Sequence, residues 1–420
     1  MNSNEARKLV VKAGKRLVET GLIARTWGNV SCRISPAQFV ITPSGRAYET
    51  LTPEDIVTVN VDGCSFESEL EPSTEKGIHA EVYKQRGDIN FVIHTHQLYA
   101  SAVSPLNSDL NIEGFAAAII GSRVVAIPHA LPGTRALRKN VASALTRSES
   151  KAFLITSHGA LCLGINCDQA FKVATELEKE CAAFINRRYF EISGRKSADP
   201  AGLREYFIKE QTGYHDLSAP AKLQLYYNSE RKGDFFHLYP DATEEEPFPP
   251  DSVNYIKISL NQDPPESTSE AIPPEAKIHH ALYNSYQEIN AIVHCLSPDI
   301  LAVSRIGKTI YPLLDDFAMI IGPNVQVADD KFSADLVKTI LKKIRGRNAV
   351  LIKGNGAICC GPTKSDAASA VMIMEKGCKA FIATALFGGV KPIKNLKCHL
   401  MRHIYLNRYS KKALLKQKYN

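Results

Sequence analysis

The sequence contains an internal duplication, which constrains the fold more than any other feature. Residues 75–96, EKGIHAEVYKQRGDINFVIHTH, align without a gap with residues 275–296, EAKIHHALYNSYQEINAIVHCL. Residues 151–170, KAFLITSHGALCLGINCDQA, align in the same way with residues 348–367, NAVLIKGNGAICCGPTKSDA. Two matches in the same order and at nearly the same separation indicate one structural unit that occurs twice.

The length of the chain agrees with two domains, because 420 residues exceed the usual size of one hydrophobic core. Segments rich in Pro, Gly and charge, at 193–202 and 240–251, are typical of connections between domains. We predict a first domain over residues 1–200, a second over 201–390 and a basic tail over 391–420.

The apolar pattern predicts an α/β unit. A helix over about 5–20 is expected to end at Gly21, since glycine readily adopts the left-handed conformation that closes a helix. A second helix is expected to begin at the N-cap Ser73 and to end near Gln85. Strands are predicted at the β-rich runs NVSCRI, QFVIT, DIVTVNV, NFVIH, RVVAI and AFLIT.

The composition argues against membrane and secreted proteins. No stretch approaches the roughly 18 apolar residues of a membrane span, and the N-terminus lacks the apolar core of a signal peptide. The ten cysteines are scattered and include no CxxC pair, which is typical of reduced thiols. We therefore expect a cytoplasmic protein.

The C-terminal segment 391–420 contains nine Lys or Arg residues and no Asp or Glu. Such a segment can bind nucleic acid or acidic lipid by neutralising phosphates. Aromatic residues are sparse and no nucleic-acid motif accompanies it, which favours a solvated terminal helix without a specific nucleic-acid partner.

Three histidines have the spacing of a metal site. His94 and His96 flank Thr95 at the end of a predicted strand, where the two-residue period turns both imidazoles to one face. His158 follows a second buried strand, beside Gly159. Three neutral imidazoles with one open position are typical of a catalytic zinc site.

These residues belong to a series of motifs that resembles the class II aldolase/adducin family. In chain order the motifs are GNVSCR (28–33), ITPSGRAYETLTPEDIV (41–57), EPSTEKGIH (71–79), VIHTH (92–96), PGT (132–134) and SHG (157–159). The resemblance covers about residues 5–190 and recurs, weakened, over about 270–385. It implies a three-layer α/β/α fold in two tandem copies.

The resemblance also implies roles for individual residues. His94, His96 and His158 correspond to the family's zinc ligands, with one zinc ion per chain, and Glu75 corresponds to its catalytic glutamate. The family's phosphate-binding loops correspond to Asn29, Ser44, Gly45, Ser73 and Thr74.

The implied reaction is that of an aldolase, a lyase that cleaves or forms a C–C bond next to a carbonyl in a small, phosphorylated sugar. Zinc would stabilise the enediolate as a Lewis acid, while Glu75 would move the proton, with a pKa that burial raises. Relatives in the family also run 4-epimerisation, dehydration or decarboxylation on the same scaffold, and these reactions remain open as alternatives.

The sequence departs from the family pattern in two places. Where the aligned aldolases have a tyrosine proton donor, this chain has Glu113 in NIEGFAAAIIG, and Glu113 is a candidate second acid/base. In the second repeat Glu275 and His294 persist, but Leu296 and Asn355 replace two of the histidines. We interpret this repeat as a pseudo-domain that keeps the fold.

A non-catalytic scaffold is the alternative of another class, because the adducin branch of the family has lost the metal ligands. The four site residues of the first repeat favour the enzyme. Family members resemble fourfold rings with active sites between neighbouring subunits, so two duplicated chains would complete a ring. We therefore predict a homodimer with the shape of a pseudo-tetramer.

Overall fold

The chain divides into two compact units, each built on one mixed β-sheet. The computed structural model describes residues 2–23, 27–195, 197, 199–213, 225–240, 247–248, 254–264, 272–329 and 334–410. Among the described residues, the first unit comprises 2–191 with 409–410, and the second comprises 192–408. The boundary therefore lies nine residues before the end of the first domain predicted from the sequence.

The first unit alternates strands with helices. Its helices are α1 (Ser3–Glu19), α2 (Lys76–Gln85), α3 (Leu98–Val103), α4 (Gly114–Ile120), α5 (Arg135–Leu145) and α6 (Cys167–Ser193). Its strands are β1 (Gly28–Arg33), β2 (Gln38–Ile41), β3 (Val57–Asn60), β4 (Phe91–Thr95), β5 (Leu110–Asn111), β6 (Arg123–Ile127), β7 (Ala152–Ile155) and β8 (Gly159–Gly164).

The eight strands form one sheet in the order β3-β2-β1-β4-β8-β7-β6-β5. All neighbours are antiparallel except β6 and β7, which are parallel and are joined through α5. Strand β4 lies near the centre, between β1 and β8, and all five of its residues are buried. Its end is therefore flanked by the ends of two other strands, and this arrangement positions the candidate site.

Helices cover both faces of this sheet. On one face α2 and α5 pack on alternate strand residues, and their shared core includes Ile78, Val92 and Leu137. The intervening strand residues, such as Val30 and Ile93, are also buried, and α1 contacts β1 and β2. Burial on both faces explains why central strands such as β7 and β8 contain no charged residue and are largely apolar.

The second unit repeats the same architecture. Its helices are α7 (Pro200–Thr212), α8 (Glu275–Ser285), α9 (Pro298–Arg305), α10 (Asp315–Ile320), α11 (Ala334–Ile344), α12 (Lys364–Ala385) and α13 (Asn395–Ile404). Its strands are β9 (Asn228–Lys232), β10 (Phe235–Tyr239), β11 (Ile256–Ser259), β12 (Ala291–Cys295), β13 (Val327–Ala328), β14 (Ala349–Ile352) and β15 (Ala357–Gly361).

The strand order of the second sheet, β11-β10-β9-β12-β15-β14-β13, matches the first seven positions of the first sheet. As in the first unit, only one pair, β13 with β14, is parallel among the described strands. The α/β fold in two copies, which the duplication predicted, is therefore confirmed.

Two local expectations differ from the structure. Ser73 lies two residues before the N-cap of α2, which is Glu75, and its Oγ accepts a hydrogen bond from the Glu75 N–H.

The segment 391–420 does not begin as a solvated tail, because Cys398, Met401 and Arg402 of α13 are buried. The Arg402 guanidinium donates to the carbonyls of Met319 and Ile320 at the end of α10, where a helix end carries partial negative charge.

Residues 411–420 of that segment lie outside the described residues, as do parts of the predicted connections at 193–202 and 240–251. Among the helices that are described, none is long and apolar enough to cross a lipid bilayer.

Candidate metal centre

Four side chains from three parts of the first unit meet at the end of β4. His94 lies in β4 and His96 directly follows it, while His158 lies in the turn between β7 and β8. Glu75 is the N-cap of α2. One potential ligand atom from each of these residues lies within 4.8 Å of the others, and in the part of the chain that the structure describes this is the only such cluster.

The distances within the cluster suit one small cation. The Nε2 atom of His94 lies 3.1 Å from that of His158 and 3.0 Å from that of His96. The Glu75 carboxylate oxygens lie 3.0 Å from His158 Nε2 and 3.2 Å from His94 Nε2. Donors bound at 2.0–2.1 Å around a tetrahedral ion lie about 3.3 Å apart, so the donor set fits a metal of the size and preference of zinc.

A hydrogen bond to the backbone of β8 fixes the orientation of the His94 ring. Its Nδ1 lies 2.9 Å from the carbonyl oxygen of Ala160 on β8, and a carbonyl only accepts, so Nδ1 carries the proton. The unprotonated Nε2 then faces the cluster. A ring held in this way presents the form of imidazole that binds a metal.

The turn that carries His158 is tight. Ser157 has a φ of +59°, a left-handed conformation that is uncommon for a residue other than glycine. A Cβ on Gly159 would lie 2.2 Å from the carbonyl oxygen of Thr95. Glycine therefore allows this turn to approach the end of β4, which brings His158 to His94 and His96.

Glu75 is almost fully buried beside two imidazoles. Burial raises the pKa of Glu75, whereas His94 and His158, when they are protonated, lower it well below its ordinary value. Burial itself therefore acts in the predicted direction, but the sequence does not show how close the two rings come.

The residues matched to phosphate-binding loops lie around the start of α2. Ser73 is buried, whereas Thr74 and Gly45 are exposed and Ser44 is partly buried. The backbone N–H of Ser44 donates to the carbonyl of Glu71, so the two loops are neighbours. Asn29 is buried, and its amide N–H donates to Glu75 Oε2 at 3.3 Å.

An open cleft beside these loops was not foreseen from the sequence. It has a volume of about 150 Å³, and Thr74, Thr134, Lys76, Arg135 and Arg138 are among its lining residues. Arg138 forms an ion pair with Glu81, while Lys76, Arg135 and the two hydroxyls make the cleft attractive to an anion. These residues are distant in sequence, and the packing of α2 against α5 brings them together.

The structure does not bring Glu113 to the cluster of its own unit. It is the N-cap of α4 and is exposed, and it is not among the clustered residues. Phe115, two residues further on, exposes 73% of its surface.

The second unit keeps part of the site in another arrangement. His294 corresponds to His94, but its Nε2 lies 2.7 Å from the backbone oxygen of Asn355 and must donate to it. That nitrogen is therefore unavailable to a metal. Glu275 Oε1 accepts a hydrogen bond from the backbone N–H of Tyr226, and Leu296 offers no ligand.

Known proteins with related sequences support the interpretation of this centre. A sequence profile described as Class II Aldolase and Adducin N-terminal domain matches residues 8–185 and, separately, residues 249–382. The 5-deoxy-D-ribulose 1-phosphate aldolase of Bacillus thuringiensis serovar kurstaki is 32% identical over 211 residues, which cover 50% of this chain and 96% of that protein. The L-fuculose phosphate aldolase of Escherichia coli K12 is 35% identical over 179 residues, or 42% of this chain and 81% of that protein.

Among solved structures, an L-fuculose 1-phosphate aldolase has 31% identity and a TM-score of 0.43, covering 48% of this chain and 92% of that one. Because the profile matches well over half of the residues, the chain belongs to the class II aldolase/adducin family.

Proposed function

We propose that the first unit is a zinc-dependent aldolase that cleaves or forms a C–C bond next to the carbonyl of a phosphorylated keto sugar. The cluster of Glu75, His94, His96 and His158 carries this proposal, because its donor set and spacing fit one catalytic metal ion. Relatives named as aldolases of L-fuculose phosphate and 5-deoxy-D-ribulose 1-phosphate support the reaction and the substrate class.

Three imidazoles would hold the ion, which supplies Lewis-acid stabilisation of negative charge on the substrate oxygens. The Glu75 carboxylate, which is buried at the cluster, accepts the proton that leaves the substrate.

The substrate phosphate would bind beside the start of α2. The hydroxyls of Ser73 and Thr74, with Ser44 and Gly45 in the neighbouring loop, lie at a helix N-terminus, where anions are favoured. Lys76 and Arg135 in the adjoining cleft add positive charge. A phosphorylated sugar is therefore favoured over a neutral one.

The position of Glu113 supports an assembly of several chains. Because Glu113 is exposed and is not among the clustered residues of its own unit, it is placed to face a site on another chain. The exposed Phe115 beside it is typical of a subunit interface. We propose that the protein is a homodimer. We also propose that it resides in the reducing cytoplasm, because all ten cysteines are free thiols.

The test is a screen of zinc-loaded protein with L-fuculose 1-phosphate, 5-deoxy-D-ribulose 1-phosphate and their unphosphorylated sugars, with detection of cleavage and of epimerised product. We expect cleavage of at least one phosphorylated ketose. Glu75→Gln should keep the metal, since the three imidazoles remain, and lose most turnover. Metal-loaded protein that acts on none of these compounds would favour the scaffold alternative, and a variant with undiminished turnover would refute the role of Glu75.

A further inference from the structure

A chain of buried hydrogen bonds leads from Glu75 into the core beneath the metal centre. Asn29 donates from its amide nitrogen to Glu75, and its amide oxygen lies in close contact with Nε2 of His79. On the other side of the ring, His79 Nδ1 lies 2.6 Å from Ser31 Oγ. Ser31 Oγ in turn lies 2.7 Å from the hydroxyl of Tyr83.

The orientation of the Asn29 amide determines the direction of every bond in this chain. Its NH₂ group donates to Glu75 Oε2, so its carbonyl oxygen faces His79 and can only accept. Nε2 of His79 must then donate, which leaves Nδ1 of the neutral ring as an acceptor. Ser31 donates to Nδ1 and accepts from Tyr83.

We propose that His79 is a positioning residue for Glu75, which it holds through the amide of Asn29 by donating from Nε2. The inference rests on the function proposed for Glu75. If the Nε2 donor is removed, the Asn29 amide is free to rotate, and it can then present its oxygen to the carboxylate. The carboxylate would lose its partner and its fixed orientation beside the imidazoles.

Burial supports a single form of the ring. His79 is fully buried in the structure, and burial lowers its pKa to about 3. The ring is therefore neutral at physiological pH and has one N–H to donate.

The second unit provides an internal comparison for this chain of bonds. Strand β1 pairs Ser31 with Val92, and β9 pairs Ser229 with Ile292, so Ser229 corresponds to Ser31. The Ser229 hydroxyl bonds to that of Tyr283 at 2.8 Å, as Ser31 does to Tyr83. The serine–tyrosine pair is thus common to both copies of the fold.

The link to the glutamate occurs only in the first unit. By the same register the residue that corresponds to Asn29 is Tyr227, which has no amide. His279 occupies the place of His79 and is equally buried, but its Nδ1 has no hydrogen-bond partner. The histidine–asparagine bond is therefore found in the unit that has the metal cluster, whereas the serine–tyrosine bond is found in both units.

The test compares three variants of the full-length, zinc-loaded chain. His79→Leu removes the donor, His79→Gln supplies an amide N–H in its place, and His279→Leu makes the same change in the second unit. Loss of a partner that orients a metal-site residue typically costs about 10- to 100-fold in activity. We expect His79→Leu to lower kcat by about that factor, with KM and metal content unchanged, while His79→Gln retains most of kcat and His279→Leu all of it.

Thermal unfolding of the three variants separates positioning from folding. Equal losses of kcat in both His79 variants, or a matching loss in His279→Leu, would overturn the proposal, because packing would then explain the effect. A second measurement needs no substrate. In protein labelled with [¹⁵N]histidine, the NMR signals of His79, assigned with His79→Gln, should show a proton on Nε2.

A proton on Nδ1 instead would overturn the proposal whatever the protein catalyses. The NMR measurement and the activity screen can give different answers. If Nε2 carries the proton but the protein turns over no sugar phosphate, the proposed reaction is wrong and the proposed hydrogen-bond chain is still supported.

Discussion

Replacement of Gly159 by alanine should weaken metal binding by displacing His158. An added Cβ would lie 2.2 Å from the Thr95 carbonyl oxygen, whereas such contacts essentially never fall below 3.0 Å. The turn and the end of β4 must therefore separate by about 0.8 Å, while metal–ligand distances tolerate only about 0.2 Å. His158 adjoins the substituted residue and His96 follows Thr95, so the separation moves two ligands apart. We expect the metal affinity to fall by more than tenfold.

Gly356→Ala is the matched control, because its Cβ would lie 2.1 Å from the Cys295 carbonyl at the same place in the second unit. Both variants should lose about 1–3 kcal/mol of unfolding free energy through overpacking. Gly356 also has a φ of +69°, which adds strain to its variant alone. Competition with a chelator measures the affinity, and chemical denaturation measures the stability. If Gly159→Ala bound metal within tenfold of the wild-type affinity, the close approach would not be what positions His158.

Three further predictions follow from the comparison of the two units. Elemental analysis should find one tightly bound metal ion per chain, which His94→Ala or His158→Ala abolishes and His294→Ala leaves unchanged; two equivalents would contradict the assignment of the second unit. Burial lowers the pKa of His294 to about 4, whereas a histidine in an unfolded chain has a pKa of roughly 6.5. Between these two pH values only the unfolded state binds the proton, so the free energy of unfolding decreases as the pH falls. His294→Gln should remove about 1.4 kcal/mol per pH unit from this slope between about pH 6 and 4.5, measured by chemical denaturation, and an unchanged slope would show that the ring is not kept neutral. Light scattering should find a homodimer, and a strictly monomeric, fully active protein would exclude a site shared between chains.

The sequence predicts the metal cluster well because two of its ligands are two residues apart at the end of one strand. The period of two in an extended chain turns His94 and His96 to one side whatever the rest of the fold does. The position of His158 could not be predicted from a local pattern, because it depends on the pairing of β8 with β4. The resemblance to the family predicted that His158 joins the other two histidines, whereas the spacing of the residues alone does not.

Other features depended on contacts between distant segments and could not be predicted. The cations of the cleft come from α2 and α5, and no local pattern relates Lys76 to Arg135. The first strands of the second unit were missed because they retain only a serine and an arginine, Ser229 and Arg231. Their roles become visible through the strand register, in which Arg231 donates to the Tyr283 carbonyl as Arg33 does to that of Tyr83.

The duplication separates what the fold requires from what the metal centre requires. The second unit builds the same sheet and an equally apolar core, which includes Ile278, Leu282 and Ile292, although two of its three metal-ligand positions are Leu296 and Asn355. Metal coordination therefore cannot be what stabilises this architecture, since one copy keeps the architecture without the ligands. What both copies share is the close turn at a glycine, the serine–tyrosine bond and the arginine on the helix carbonyls. These contacts fix the central strand, the helix before it and the turn beside it, and the first unit uses this frame to present three imidazoles and a carboxylate to one point.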